Sequence, residues 1–76
     1  MLPRLKAVTK QNWKLARHIQ KRRKEKQLTQ EELAERLNVS QPWLARIETG
    51  REVPNLKRLQ QIARALSVKV KELIPY

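Results

Sequence analysis

The stretch TQEELAERLNVSQPWLARIETG, residues 29–50, holds two helix starts and two helix stops in quick succession. Thr29 followed three residues later by Glu32 fits a capping box, in which the hydroxyl and the carboxylate each satisfy a backbone N–H of the other. Leu33, Ala34 and Leu37 then recur at helical spacing, so a helix is expected to about Leu37. Asn38 tolerates the left-handed conformation that ends a helix. Ser40 is suited to cap the next one, and Pro42 falls in its first turn, where a missing N–H costs nothing. Gly50 stops it. The segment therefore reads as two short helices joined by a tight bend, a helix-turn-helix arrangement.

Working outward, a helix is expected from about Thr9–Asn12 to about Gln27, with Trp13, Ala16 and Ile19 on its apolar side. Beyond Gly50, Arg51 to Pro54 reads as a loop. Asn55 caps a fourth helix carrying Leu56, Leu59, Ile62, Ala63 and Leu66. A last turn or helix spans about Val70 to Ile74, ahead of Pro75. No strand alternation, repeat or low-complexity segment interrupts this order. The expected class is all-α, with residues 1–9 as a flexible basic N-terminal arm and residues 10–76 as the domain.

Bulk composition narrows the chemistry. Seventy-six residues suffice for one small domain. With no Cys and one His, neither a disulfide nor a metal cage is expected, and no cofactor is called for. No apolar run approaches the roughly 20 residues of a membrane span. The N-terminus lacks a long apolar stretch of signal-peptide type, so a cytoplasmic, nucleoid-associated location is expected. The formal net charge is +11, and it is unevenly placed. Residues 1–29 hold ten Lys/Arg against one Glu, whereas residues 30–76 hold eight against six. Such a field attracts polyanions, nucleic acid before anionic membrane. The cluster Lys21-Arg22-Arg23-Lys24 suits a solvated or phosphate-facing helix face better than a targeting signal.

The third helix has two faces. At about 100° per residue, Leu44, Ile47 and Glu48 share one side, while Pro42, Ala45, Arg46 and Thr49 lie opposite. Gln41 sits at the N-terminal tip and Trp43 on the flank. The outward set is small or hydrogen-bonding and suits a major groove about 12 Å wide, where Gln pairs with adenine and Arg with guanine. An ordinary amphipathic helix with a polar outer face is the plainer alternative. Glu48 lies between apolar neighbours, and a carboxylate there needs a cation. Arg23, late in the first helix, is the expected partner.

These residues resemble the Cro/CI-type (XRE) helix-turn-helix family. The resemblance is carried by LARHI with Arg23 at 15–23, LTQEELAERLNVS at 28–40, Leu44-x-x-Ile47-Glu48-x-Gly50, Pro54-Asn55-Leu56 and IARALSV at 62–68. It implies a lambda-repressor-like bundle of five helices, the second and third forming the helix-turn-helix. It implies that Gln30 clamps a DNA phosphate and that Gln41, Pro42, Trp43 and Arg46 face DNA. Ser40 and Thr49 fall in the same DNA-facing set, and Arg51 is implied as a backbone contact. Arg23 and Glu48 stand at the family's internal ion pair. Pro42 and Trp43 replace small polar residues frequent in the family. Trp43 either meets thymine methyls and sugar or packs on protein.

A sequence-specific regulator of transcription is therefore expected, a repressor binding double-stranded DNA as a homodimer on a two-fold operator. Dimer contacts are expected from the fourth-to-fifth helix region and the C-terminal tail, including Ile74 and Tyr76. The alternatives are an antitoxin that binds a toxin protein and represses its own operon, or a controller of restriction–modification genes. A non-specific nucleic-acid coat is a further class. An enzyme is not expected, because His18 has no Cys or carboxylate pair with which to build nucleophile–base geometry. His18 itself is expected to be a surface or half-buried helical residue.

Overall fold

The computed structural model describes residues 10–74, with side chains from Asn12 onward. The N-terminal arm at 1–9 and Tyr76 lie outside the described residues. Among the described residues, four α-helices and one 3-10 turn follow in order: α1 (Lys10–Glu25), α2 (Gln30–Leu37), α3 (Gln41–Glu48), α4 (Leu56–Ala65) and the turn Val70–Glu72. The described residues thus form no fifth α-helix where the family resemblance implied one. The segment that would supply it is short and bounded by Ser67 at φ 58° and by Pro75, which disfavours helical geometry at Ile74.

All four helices stop in the same way. The N–H of Gln27 donates to Lys24 O (2.9 Å) and that of Leu28 to Arg23 O (3.1 Å). The same paired bonds run from Asn38 and Val39 to Glu35 and Ala34, and from Gly50 and Arg51 to Ile47 and Arg46. Ser67 and Val68 repeat them on Arg64 and Ala63. Each residue at the bend has positive φ: Gln27 58°, Asn38 60°, Gly50 78° and Ser67 58°. This is the Schellman arrangement, which satisfies the last carbonyls of a helix and turns the chain sharply. Leu28, Val39 and Val68 follow three of the bends and reach the core or its margin. Left-handed geometry costs a side-chain-bearing residue about 1–2 kcal/mol, and the apolar contact that follows offsets it. Gly50 avoids that cost. A Cβ there would meet Trp13 Cα at an ordinary 3.7 Å, so conformation rather than space favours glycine.

α2 packs on α3, α1 lies against α3, α4 against α2, and the C-terminal turn closes on α4. Between them sits one aliphatic core, in which Ile19, Leu33, Leu44, Ile47, Ile62, Leu66 and Leu73 have almost no exposure. Two apolar residues assigned to helix faces lie outside it. Trp13 is 46% exposed, and the buried stripe of α1 runs instead through Ala16, Ile19 and Arg23. Leu56 is 64% exposed because the first residue of α4 overhangs the end of the core. His18 is half-buried, as expected, with Nδ1 3.0 Å from Leu73 O.

Candidate nucleic-acid interface

The bend that presents α3 is built from the caps read in the sequence. Thr29 Oγ1 accepts from the Glu32 N–H (3.0 Å), and Glu32 Oε1 accepts from the Thr29 N–H (2.8 Å). The Thr29 N–H, then the Thr29 hydroxyl, and to a lesser degree the charge of Arg36 hold the Glu32 carboxyl below the usual carboxylate range. Ser40 Oγ accepts from the Trp43 N–H at 3.1 Å and starts α3, with Pro42 in the first turn. Each cap fixes where its helix begins. Together they set the angle at which α3 leaves the bend.

Beneath α3 lies the expected ion pair. Arg23 donates from Nε to Glu48 Oε2 (2.8 Å) and from Nη2 to Oε1 (3.0 Å). Its Nη1 donates to Leu28 O (2.8 Å), tying the same guanidinium to the bend after α1. Glu48 has no exposure and Arg23 9%. Two buried charges are tolerable only with their hydrogen bonds complete. Among the described residues no buried side-chain polar atom lacks a partner. Gln20 Nε2 adds a bond to the Glu48 carbonyl (2.8 Å), a second clamp from α1 that the sequence reading did not single out.

The network continues to the surface. Gln30 Nε2 donates to Glu48 Oε1 (3.0 Å), and Gln30 Oε1 accepts from Gln41 Nε2. Gln30 thus joins the buried carboxylate to the side chain at the tip of α3. The position assigned to a phosphate clamp is also an orienting one, and the Gln41 amide is held before any ligand is present.

Along α3, Gln41, Pro42, Arg46 and Thr49 are exposed and Ala45 is half-buried, so no other part of the described chain covers this ridge. Arg51 is exposed just past Gly50. The Thr49 hydroxyl donates to Ala45 O (2.9 Å), with Arg46 O also within reach at 3.2 Å. Trp43 is half-buried and turns toward the loop and α4. Its Nε1–H donates to Glu52 Oε2 (3.1 Å), and the Arg58 guanidinium lies 5.5 Å from the ring centroid. Of the two roles open to Trp43, packing on protein is thus realised, although part of the ring remains accessible. Glu52 also accepts from Arg46 Nε at 3.1 Å. Glu52 and Arg58 carry no periodic signal in the sequence. They meet α3 only because Gly50 reverses the chain.

The basic cluster at 21–24 does not form one patch. Arg23 is buried, and Arg22 pairs with Glu25 (3.0 Å) and Glu72 (3.6 Å). Lys21 and Lys24 are exposed and join Lys14 and Arg17 around an open depression on the outer side of α1. His18, Gln20 and Glu25 complete the lining of that concavity, and it does not include α3. Among the described residues, no helix is long and apolar enough to cross a membrane.

Known proteins share this fold. The family model described as helix-turn-helix matches residues 19–73. The chain belongs to the helix-turn-helix family, of the Cro/CI (XRE) type. Among helix-turn-helix relatives, the immunity repressor protein of Bacillus phage phi105 is 44% identical over 52 residues, covering 68% of this chain and 36% of the repressor. The chain spans less than half the length of the first curated relatives it matches. Among solved structures, the restriction-modification controller protein C.AhdI from Aeromonas hydrophila matches with a TM-score of 0.79 at 25% identity, over 83% of this chain and 96% of the controller. The biofilm master regulator SinR in complex with DNA matches with a TM-score of 0.73 at 32% identity, over 78% of this chain and 95% of the regulator. In this helix-turn-helix, α2 and α3 are the paired helices and the Gln41–Arg46 ridge is the free face of the second.

Proposed function

We propose that this domain is a sequence-specific double-stranded DNA-binding regulator of transcription, a repressor that acts as a homodimer on a palindromic operator. The observation that carries the reading is the uncovered ridge of α3. Gln41 and Arg46 stand exposed on it, braced from below by Gln30 and from the side by Glu52. The names of the relatives, an immunity repressor and a regulator solved on DNA, support the same reading.

The mechanism is binding without bond chemistry. The net charge of +11 draws the domain to the duplex and supplies affinity for any sequence. Gln30, Ser40, Thr49 and Arg51 contact the backbone and set register. Gln41 reads adenine, Arg46 reads guanine, and Pro42 with the accessible part of Trp43 supplies apolar contact to sugar or a thymine methyl. Two copies, joined through the C-terminal region that includes Ile74, read half-sites about one helical turn apart.

Selection of bound duplexes from a random pool, followed by sequencing, tests this directly. A palindromic consensus is the expected result, a lone half-site removes the dimer, and no enrichment at all overturns the function. Arg46→Ala should then cost about 1–3 kcal/mol at one base position of the consensus. Equal losses on consensus and random DNA defeat the assignment of Arg46 to a base.

A second reading is a controller of restriction–modification genes. The structural match to C.AhdI, itself a restriction-modification controller, favours it. It shares the interface and parts from the first reading only in the genes bound.

A further inference from the structure

We infer that Glu52 is a positioning residue for base reading: its carboxylate holds the Arg46 guanidinium by Nε and leaves the Nη1–Nη2 edge for a guanine. The inference rests on the DNA-binding reading above and adds to it the residue that prepares the reader.

Glu52 is placed by the chain reversal after α3. Its own N–H donates to Arg46 O (3.2 Å), as does the N–H of Arg51 (3.0 Å). Backbone and side chain of Glu52 therefore both engage Arg46. The two carboxylate oxygens have separate partners, Oε1 on Arg46 Nε and Oε2 on Trp43 Nε1, each at 3.1 Å. Trp43 is fixed in turn by Arg58 over its ring, and Arg58 Nη1 donates to Gln61 Oε1 (3.0 Å). The carboxylate is braced on a half-buried indole anchored to α4 and has little freedom to swing.

Stability does not account for this arrangement. The Arg46 and Glu52 side chains are 51% and 42% exposed, and exposed pairs contribute little to folding. A carboxylate beside a surface that meets phosphates also repels every duplex alike. Its effect falls instead on Arg46. A free arginine loses rotamer freedom when it docks on a base, and a guanidinium already held by Nε has less to lose. The same contact limits the directions in which the remaining donors point, which is what discrimination between bases requires.

The test uses three duplexes: the consensus selected by the wild-type chain, that consensus changed at the base pair identified by Arg46→Ala, and a random duplex. Affinities are measured for wild type, Glu52→Gln, Glu52→Asp, Arg46→Ala and the Arg46→Ala/Glu52→Gln double variant, with thermal melts of each. Glu52→Gln is expected to melt with the wild type and to bind random duplex more tightly. It should lose on the order of tenfold in discrimination at the Arg46 position. Glu52→Asp keeps the charge but falls one carbon short, so discrimination should fall without tighter random binding. In the Arg46→Ala background, Glu52→Gln should change discrimination no further. Wild-type discrimination in Glu52→Gln overturns the inference, as does an equal loss in the Arg46→Ala background. If the wild type enriches no consensus, the DNA-binding reading itself falls first; if it does and only the Glu52 outcomes fail, that reading stands without this addition.

Discussion

α3 carries two Arg–Glu pairs of nearly the same length in opposite surroundings. On its inner side Arg23 meets Glu48 at 2.8 Å, with side chains 11% and 0% exposed. On its outer side Arg46 meets Glu52 at 3.1 Å, with side chains 51% and 42% exposed. The inner pair is closed: each guanidinium nitrogen and each carboxylate oxygen has a partner within the chain, so it fixes where α3 sits. The outer pair is open: it uses one nitrogen of Arg46 and lies where a ligand can join it. One chemistry serves as a fastening when dry and as a holder for a reading group when wet.

The largest expected effect breaks the inner pair. Arg23→Ala leaves a buried carboxylate without its cation and should destabilise the domain by about 3–5 kcal/mol. For a domain of this size each kcal/mol shifts Tm by about 4–8 °C, so a thermal melt resolves it easily. Replacing Arg23 and Glu48 together by Met and Leu should cost much less than either single change, because no charge is stranded. A melt of Arg23→Ala superimposable on the wild type would mean that the inner pair fastens nothing.

Gln30→Ala sharpens the comparison at the point where inner and outer sides connect. It removes one of three donors to the Glu48 carboxylate and the acceptor that holds Gln41. The stability loss should be about 1 kcal/mol, because Arg23 remains. Preference at the base read by Gln41 should also weaken, as measured by selection with the variant. A base preference unchanged alongside a lowered Tm would confine Gln30 to the fastening side.

The difference between the pairs also marks how far the sequence could be read. The inner pair was legible because Glu48 falls on an apolar face at helical spacing, and a buried carboxylate demands a partner. The caps at Thr29 and Ser40 and the stops at Asn38 and Gly50 were legible for the same local reason. The end of the first helix near Gln27 was legible in position, but its positive φ, like that of Ser67, was not, since neither residue type favours it and the apolar contact of the next residue helps make it tolerable. The outer pair was illegible as well. Glu52 follows the glycine in an irregular loop, and its meeting with Arg46 and Trp43 depends on the turn and on α4. The fifth helix, implied by resemblance, is a 3-10 turn at Val70–Glu72, set between the bend at Ser67 and Pro75.

The smallest effect extends the comparison to a third carboxylate, Glu32, exposed at the start of α2. Its oxygen accepts from the Thr29 N–H, and the Thr29 bonds lower its pKa ahead of the attraction from Arg36. Because the folded chain holds the proton less tightly than the unfolded one, the contribution is complete above the ordinary carboxylate range. It is lost as pH falls through the lowered value. Glu32→Gln keeps an oxygen able to accept from Thr29 but removes the charge. Its stability deficit against the wild type should therefore be greatest near neutral pH and should narrow as the solution is acidified through that window. Denaturant melts of the two chains across the acid limb measure the difference directly. A constant deficit would assign the cap to hydrogen bonding alone, leaving burial and openness at Glu48 and Glu52 as the features that give charge a role in this domain.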